Sequence, residues 1–268
     1  MHQVLYRVFT YLRHVLTAWN TTGEGIHSPY LFYIVRFLMH DKNTYYCFQD
    51  IERRRESLLQ DNEMLDVVDF GSMGSPEGKH VQRSVSSIAR AHLEHPRVGQ
   101  LLFRLVMYLN QEHSKPLNIL ELGTSLGITT AYLASADKHN KVTTLEGSEA
   151  VAQMARQQWQ QLGICNIDCV VGRIEDTLDR AMQQPIDLAY VDANHTYQAT
   201  MNYVGRLLSK LPEKGILVLD DIHYSREMNR AWEDLQNDNR VTTSMDLWHV
   251  GLLFVDNHYL KRHYKIRI

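Results

Sequence analysis

Short apolar segments alternate with stretches of helical pattern between residues 116 and 256, and this alternation constrains the fold more than any other feature of the chain. The predicted buried strands are residues 118–122, 142–145, 167–171, 186–191 and 215–219. Helices are predicted between most of them, for example from the N-cap Ser148 to the stop signal Gly163. Short strands separated by helices build a parallel sheet that is covered on both faces, so the pattern predicts a doubly wound α/β fold.

The last two predicted strands, residues 241–247 and 251–255, are joined by a short link without a helix. Strands joined so closely pair as a hairpin, and one of them must then run antiparallel. We therefore predict a mostly parallel seven-stranded sheet that ends in an antiparallel hairpin. The tail, residues 258–268, carries four Lys or Arg residues and no acidic one, and we expect it to be a solvated edge. Contact with an anionic partner is the alternative.

The beginning of the chain has a different pattern. Residues 1–96 are predicted to form a helical extension and lid, and residues 97–268 a ligand-binding domain. The apolar residues near the start recur at helical spacing: Leu5, Val8, Leu12, Val15 and Trp19. They predict a helix that packs on the body of the protein. A helix lying on a membrane surface is the alternative.

Composition excludes several classes of protein. With 268 residues, of which 44% are hydrophobic, the chain is a globular protein rather than a disordered one. A net charge of −3 disfavours nucleic acid as a partner. The three cysteines have no metal or redox spacing and indicate a reducing, cytoplasmic setting. No apolar run approaches the roughly twenty residues of a transmembrane helix, so no transmembrane segment is predicted.

Ligands bind an open α/β sheet beyond the carboxyl ends of its strands, and the loop after the first predicted strand has a glycine pattern suited to this role. Glycines at this turn let the backbone approach a ligand closely. The spacing E-x-G-x-S-x-G differs from G-x-G-x-x-G, which weakens a pyrophosphate-binding interpretation. A tight turn without a ligand is the alternative. The candidate residues in this loop are Glu121, Gly123, Thr124, Ser125 and Gly127.

Glu146 ends the second predicted strand, where a carboxylate can accept both hydroxyls of a ribose. Alternatively, an acidic residue there stabilises the dipole of the following helix. The loop after the third strand is placed to line an adenine pocket, although its acidic residues could equally begin a helix. The further candidates in these two loops are Gly147, Ser148, Arg173, Ile174 and Glu175.

Acidic residues follow the next two predicted strands: Asp192 with His195 after one, and Asp220 with Asp221 after the other. We expect the carboxylates to converge, which requires a cation or raised pKa values. A set of oxygen ligands suits Mg²⁺, Mn²⁺ or Ca²⁺ better than zinc. Alternatively, some of these aspartates cap the following helices and bind no metal.

Four segments resemble the successive motifs of Rossmann-like S-adenosylmethionine-dependent methyltransferases. They are NILELGTSLGITTAYLA, VTTLEGSEAVAQMAR, IDLAYVDANHTY and GILVLDDI. The resemblance covers about residues 97–256. Its E-x-G-x-S-x-G loop is similar to that of the catechol and caffeoyl-CoA type of metal-dependent O-methyltransferase.

The resemblance implies a binding site for S-adenosylmethionine and, with it, one for a divalent cation such as Mg²⁺. The donor would be held by the candidates of the first three loops together with Asp192. The metal would be held by Asp192, Asp220 and Asp221, with His195 and Asp192 as the catalytic residues. Two positions depart from the pattern: Asp221 stands where that type has Asn, and His195 where it has Lys.

We therefore expect a methyltransferase of class EC 2.1.1 that methylates the hydroxyl of a small-molecule acceptor with the help of a divalent metal. A metal-independent methyltransferase acting on nitrogen or on a macromolecule is the first alternative. An NAD-linked oxidoreductase and a non-catalytic binding protein are the others. The sequence identifies neither the acceptor nor whether the chain forms a homo-oligomer.

Overall fold

The computed structural model describes residues 2–70, 78–258 and 260–267, with the backbone alone for residues 2–4. The chain divides into two compact units. Unit 1 comprises Met1–Lys42 with Pro185–Ile268, and unit 2 comprises Asn43–Gln184. The expected boundary between residues 96 and 97 stays a prediction. None of the described helices is both long and apolar enough to cross a membrane.

The helices of unit 1 are α1 (His2–Thr17), α2 (Pro29–Tyr33), a π-helical turn (Ile34–Leu38), α9 (Tyr197–Leu207) and α10 (Arg226–Asn237). Those of unit 2 are α3 (Phe48–Gln60), α4 (Val85–His92), α5 (Pro96–His113), α6 (Ile128–Ser135), α7 (Glu149–Gln161) and α8 (Ile174–Ala181). The strands of unit 1 are β6 (Leu188–Val191), β7 (Ile216–Leu219), β8 (Thr243–Asp246), β9 (Gly251–Phe254) and β10 (Arg262–Lys265). Those of unit 2 are β1 (Met64–Asp69), β2 (Lys79–Ser84), β3 (Asn118–Leu122), β4 (Lys141–Glu146) and β5 (Ile167–Val171).

The main sheet confirms the predicted α/β class. Unit 1 contributes strands in the order β10-β8-β9-β7-β6, and unit 2 in the order β3-β4-β5. Strand β9 runs antiparallel to both β7 and β8, as the short link predicted. The other neighbouring strands of this sheet within each unit pair in parallel. Every residue of β6 and β7 is buried, which explains why these strands are continuous apolar runs.

The sheet has eight strands rather than the predicted seven, because the tail adds β10 in parallel beside β8. Tyr264 and Ile266 are buried, whereas Arg262 and His263 are exposed. The alternate apolar residues of the basic tail therefore pack into unit 1, while its basic residues remain in solvent. The sequence analysis considered only the charged residues of the tail and therefore did not predict this strand.

Unit 2 also contains a hairpin in the region predicted to be helical. Strands β1 and β2 pair antiparallel, with Val67 opposite Val81. Most of their residues are at least partly exposed, so neither strand has the continuous apolar run by which the other strands were found. The helical prediction was wrong for these two segments.

Helix α1 forms as predicted, but its apolar positions do not pack on the body as expected. The side chains of Leu5, Val8, Leu12 and Trp19 are all exposed. The helix instead buries His14, whose Nε2 lies 3.1 Å from the carbonyl oxygen of Ile266. A polar contact has replaced the expected hydrophobic one.

Candidate functional site

The glycine-containing loop after β3 adopts left-handed backbone conformations at three positions. The φ angles are 96° at Gly123, 48° at Ser125 and 78° at Gly127. The amides of Gly123 and Thr124 both donate to the carbonyl oxygen of Leu145, at 3.1 and 3.2 Å. The loop is thereby held against β4 with its backbone turned sharply, as a ligand-binding turn requires.

Gly127 is required by packing as well as by conformation. The indole Nε1 of Trp159 donates to the Gly127 carbonyl oxygen at 2.8 Å. A Cβ atom at Gly127 would lie 2.7 Å from that nitrogen and 2.8 Å from the Cβ of Ala155. The end of the loop is therefore fixed against α7 by contacts that leave no room for a side chain.

The Gly127→Ala variant is expected to lose about 2–4 kcal/mol of unfolding free energy, from overpacking against Trp159 and from an alanine in the left-handed region. Gly163→Ala is the matched control, because Gly163 has a φ of 68° but a methyl group added there would meet nothing within 4 Å. That variant should lose only about 1 kcal/mol. Urea denaturation measures both, and equal losses would contradict the steric explanation.

Glu121 is completely buried at the end of β3. The hydroxyls of Thr130 and Thr144 donate to its carboxylate, and the second of these bonds is 2.6 Å long. Glu121 thus connects β3 with α6 and β4, which stabilises the base of the loop. Its predicted contact with a donor molecule stays a prediction.

Glu146 connects the loop to the end of β4. One carboxylate oxygen accepts the Ser125 amide at 2.9 Å, and the other accepts the Ser148 amide at 3.0 Å. Burial raises the pKa of Glu146 even though these amides favour the charged form. The structure therefore brings Glu146 and the glycine loop together, as the sequence predicted for two parts of one site.

The neighbouring candidates of unit 2 are arranged around Phe70, which sequence reasoning did not single out. A Cβ atom at Gly147 would lie 2.9 Å from the Phe70 ring, so a glycine is needed there. The guanidinium of Arg173 lies over that ring, 5.9 Å from its centroid. Phe70 is the last described residue before a glycine-containing segment, and residues 71–77 of that segment lie outside the described residues.

The remaining candidates of this loop stand at the beginning of α8. Arg173 is the N-cap, Ile174 is the first residue, and Glu175 is in the first turn. The Arg173 Nε atom lies 3.7 Å from a carboxylate oxygen of Glu175. These positions agree with the alternative interpretation, in which the acidic residues of this loop begin a helix. The predicted contact with adenine stays a prediction.

In unit 1 the acidic candidates lie together at the carboxyl ends of β6 and β7. Asp192 and Asp220 each offer a carboxylate oxygen, and the two atoms lie within 4.8 Å of each other. Asp220 is buried, with 2% of its surface exposed. The Nε2 atom of His195 lies 3.2 Å from Asp192 Oδ1. Carboxylates so close together provide an oxygen-rich cluster suited to Mg²⁺.

Asp221 follows Asp220 in the chain and has a φ of 52°, and Asn194 beside His195 has a φ of 57°. Both loops therefore hold left-handed, non-glycine residues, a feature that concentrates at functional sites. Burial raises the pKa of Asp221; the neighbouring His195 opposes this shift and the negative charge of Asp192 adds to it. A cation near Asp221 would relieve the cost of its burial.

Sequence reasoning missed two residues close to this cluster. The charge of Arg7, on α1, also acts on the carboxyl of Asp221. The Arg7 guanidinium lies 5.3 Å from the ring centroid of Tyr224, which in turn lies 6.0 Å from the ring of His195. No local motif could have indicated Arg7, because it lies at the opposite end of the chain from these residues.

Part of this chain matches a known protein family. Residues 120–222 match the family model described as a methyltransferase domain. A catechol O-methyltransferase from Mycobacterium tuberculosis is 30% identical over 106 residues, which are 39% of this chain and 47% of that protein. The chain thus spans about half the length of the curated relative that it matches.

Two solved structures are similar in fold. An O-methyltransferase from Bacillus cereus in complex with S-adenosylhomocysteine has a TM-score of 0.56 and 18% identity, covering 80% of this chain and 92% of that one. An O-methyltransferase involved in tomaymycin synthesis in Streptomyces achromogenes, in complex with S-adenosylmethionine, has a TM-score of 0.53 and 22% identity, covering 64% and 89%. Residues 120–222 are therefore similar to a methyltransferase domain, which confirms the resemblance to S-adenosylmethionine-dependent methyltransferases predicted from the motifs.

Proposed function

We propose that the protein transfers a methyl group from S-adenosylmethionine to a hydroxyl oxygen of a small molecule. The observation that carries this proposal is the connection between Glu146 and the Ser125 amide at 2.9 Å, within the domain that matches methyltransferases. It links a carboxylate at the end of a strand to a sharply turned glycine loop. Such a pair suits a nucleoside ligand.

The donor would be bound by the groups of unit 2. Gly123 leaves backbone accessible to its methionine part, and Gly127 fixes the end of the loop against α7. The two amides that bind Glu146 fix its carboxylate and still leave lone pairs for the ribose hydroxyls, since a carboxylate has about four acceptor positions. The Phe70 ring and the guanidinium of Arg173 offer flat surfaces for the adenine.

The acceptor would be activated by the groups of unit 1. A ring nitrogen of His195 takes the proton of the acceptor hydroxyl, and Asp192, 3.2 Å away, stabilises the imidazolium that forms. An oxygen lone pair then forms a bond to the methyl carbon. The carbon–sulfur bond breaks, its electron pair stays on sulfur, and the sulfonium becomes a neutral thioether.

Asp192 and Asp220 would hold a divalent cation between carboxylate oxygens that lie within 4.8 Å of each other, and Asp221, the residue after Asp220, is proposed as a further ligand. When bound, Mg²⁺ would lower the pKa of the acceptor hydroxyl and orient it. The pair of His195 and Asp192 favours a second candidate function. A base oriented by a carboxylate also serves a metal-independent methyltransferase.

The cytoplasm is the proposed location of the reaction. Cys47, Cys165 and Cys169 are free thiols in the described structure, as expected of a reducing compartment. We propose a small molecule rather than a nucleic acid as the acceptor, because a net charge of −3 disfavours binding of a polyanion.

Isothermal titration calorimetry tests the donor assignment directly. We expect S-adenosylhomocysteine to bind the full chain at one site and NAD or NADP to show no heat of binding. The expected difference arises because the loop spacing suits a nucleoside with a short chain rather than a pyrophosphate. Tighter binding of NAD than of S-adenosylhomocysteine would contradict the proposal and favour an oxidoreductase.

A further inference from the structure

Two histidines and an aspartate from distant parts of the chain meet inside unit 1. His14 lies on α1, His223 lies between β7 and α10, and Asp246 ends β8. The His14 Nδ1 atom is 3.3 Å from one carboxylate oxygen of Asp246, and the His223 Nε2 atom is 2.9 Å from the other. The three side chains are 4%, 12% and 3% exposed. The cluster is therefore compact and almost closed to solvent.

The other nitrogen of each imidazole faces an oxygen that can only accept a hydrogen bond. His14 Nε2 lies 3.1 Å from the Ile266 carbonyl oxygen, and His223 Nδ1 lies 2.7 Å from Asn229 Oδ1. The Asn229 amide group is oriented by its bond to Glu233, to which it donates at 2.7 Å. Both outward nitrogens consequently carry hydrogen. If both imidazoles are neutral, the remaining nitrogens, His14 Nδ1 and His223 Nε2, carry no hydrogen. Each then directs a lone pair at the carboxylate of Asp246.

A lone pair that faces a carboxylate is repelled unless a positive charge lies between them. His14 Nδ1 is buried and lies 3.3 Å from Asp246 Oδ1, but the two atoms do not have the geometry of a well-formed hydrogen bond. The Trp248 amide donates to Asp246 Oδ1 at 2.9 Å and so orients the carboxylate. A buried nitrogen without a hydrogen bond, beside an oriented carboxylate, is the arrangement that a metal ion satisfies.

We propose that His14, His223 and Asp246 bind one transition-metal ion of the Zn²⁺ class. Two imidazole nitrogens and one carboxylate suit Zn²⁺ or Fe²⁺, whereas Mg²⁺ prefers the oxygen donors of the acidic cluster. The hydrogen bonds to Ile266 and Asn229 orient the imidazoles, as a bond from the second ring nitrogen does for metal-bound histidines in general. The proposal does not depend on the methyltransferase reaction.

Such a site would connect α1 to the core of unit 1. His14 contributes from α1, Asp246 from β8, and the carbonyl that orients His14 follows β10. The same helix carries Arg7, whose charge acts on Asp221. Because Leu5, Val8 and Leu12 of α1 are exposed, a metal at His14 would add to the attachment that the ring contact of Tyr11 with Trp248 provides.

The test uses the chelator-treated full chain with an excess of Mg²⁺ to occupy oxygen-rich sites. We expect Zn²⁺ titration to show one tight equivalent per chain, and Co²⁺ to give the visible absorption of a nitrogen–oxygen site. His14→Gln and His223→Gln should each lower the stoichiometry by one. His139→Gln, which changes an exposed histidine of unit 2, is the matched control and should retain that equivalent.

Two results would overturn the proposal. One is the absence of a tight Zn²⁺ equivalent in the wild-type chain, which would mean that protonated imidazoles neutralise Asp246 instead. The other is full stoichiometry in both folded glutamine variants. Circular dichroism establishes whether the variants fold. X-ray absorption on the zinc-loaded wild-type chain needs no variant, and a coordination shell without imidazole would also overturn the proposal.

Discussion

The Asp220→Asn variant is expected to lose methyl transfer by about 100-fold or more, because it removes charge from a buried cluster that would stabilise the reacting hydroxyl. Asp220 is only 2% exposed, and its carboxylate lies within 4.8 Å of that of Asp192. Initial rates with a panel of catechol-like acceptors, at saturating S-adenosylmethionine and Mg²⁺, measure the loss. Asp168→Asn, at an exposed residue of β5, is the matched control and should keep its rate.

Donor binding separates this effect from a structural one. S-adenosylhomocysteine should bind Asp220→Asn with unchanged affinity, since the donor groups other than Asp192 lie in unit 2. Addition of EDTA should lower the wild-type rate to a similar extent. If chelation has no effect while Asp192→Asn still abolishes turnover, the metal-independent function based on His195 and Asp192 is the correct one.

The Glu146→Gln variant is expected to bind S-adenosylhomocysteine about 10–100-fold more weakly. It exchanges the charge-assisted hydrogen bonds of a carboxylate, each worth about 1.5–3 kcal/mol, for those of an amide that cannot accept at both ends. The Ser125 and Ser148 amides would compete for one oxygen. Calorimetry measures the affinity. The matched control is Glu149→Gln, which makes the same charge change at a nearby exposed residue that pairs with Arg156.

The pH dependence of binding provides a second measurement for Glu146. Burial raises the pKa of this carboxyl, so it takes up a proton at a higher pH than an ordinary glutamate. Since the ionised form accepts the ribose hydroxyls, affinity should fall as the pH is lowered from 7 towards that raised pKa. The Glu146→Gln variant should lack this fall. Equal affinities of the Glu146→Gln and Glu149→Gln variants at pH 7 would exclude Glu146 as a donor-binding residue.

Much of the candidate site could be predicted from the chain because it lies at strand ends. The pattern of buried strands located the loops that contain Gly123, Glu146, Asp192 and Asp220, and the structure brings them together within their own units. Phe70 and Arg7 were not predicted, because each approaches the candidates through contacts distant in sequence, and Tyr224 was not predicted because its contact with His195 joins two different loops. Aromatic and basic residues are common, and nothing in their immediate surroundings distinguishes these three.

The amino-acid sequence by itself determined the α/β class, the antiparallel hairpin and the residues at the strand ends. These features depend on periodicity within contiguous segments, where burial of one face dictates the spacing of apolar residues. Only the tertiary structure decided that the basic tail forms β10, that β1 and β2 pair, and that α1 buries His14 while its apolar face stays exposed. For α1 and β10 the decisive contact joins segments that are not consecutive in the chain, and the local pattern of one segment does not specify its partner. Strands β1 and β2 are consecutive, but their partly exposed residues lack the apolar pattern by which the other strands were predicted.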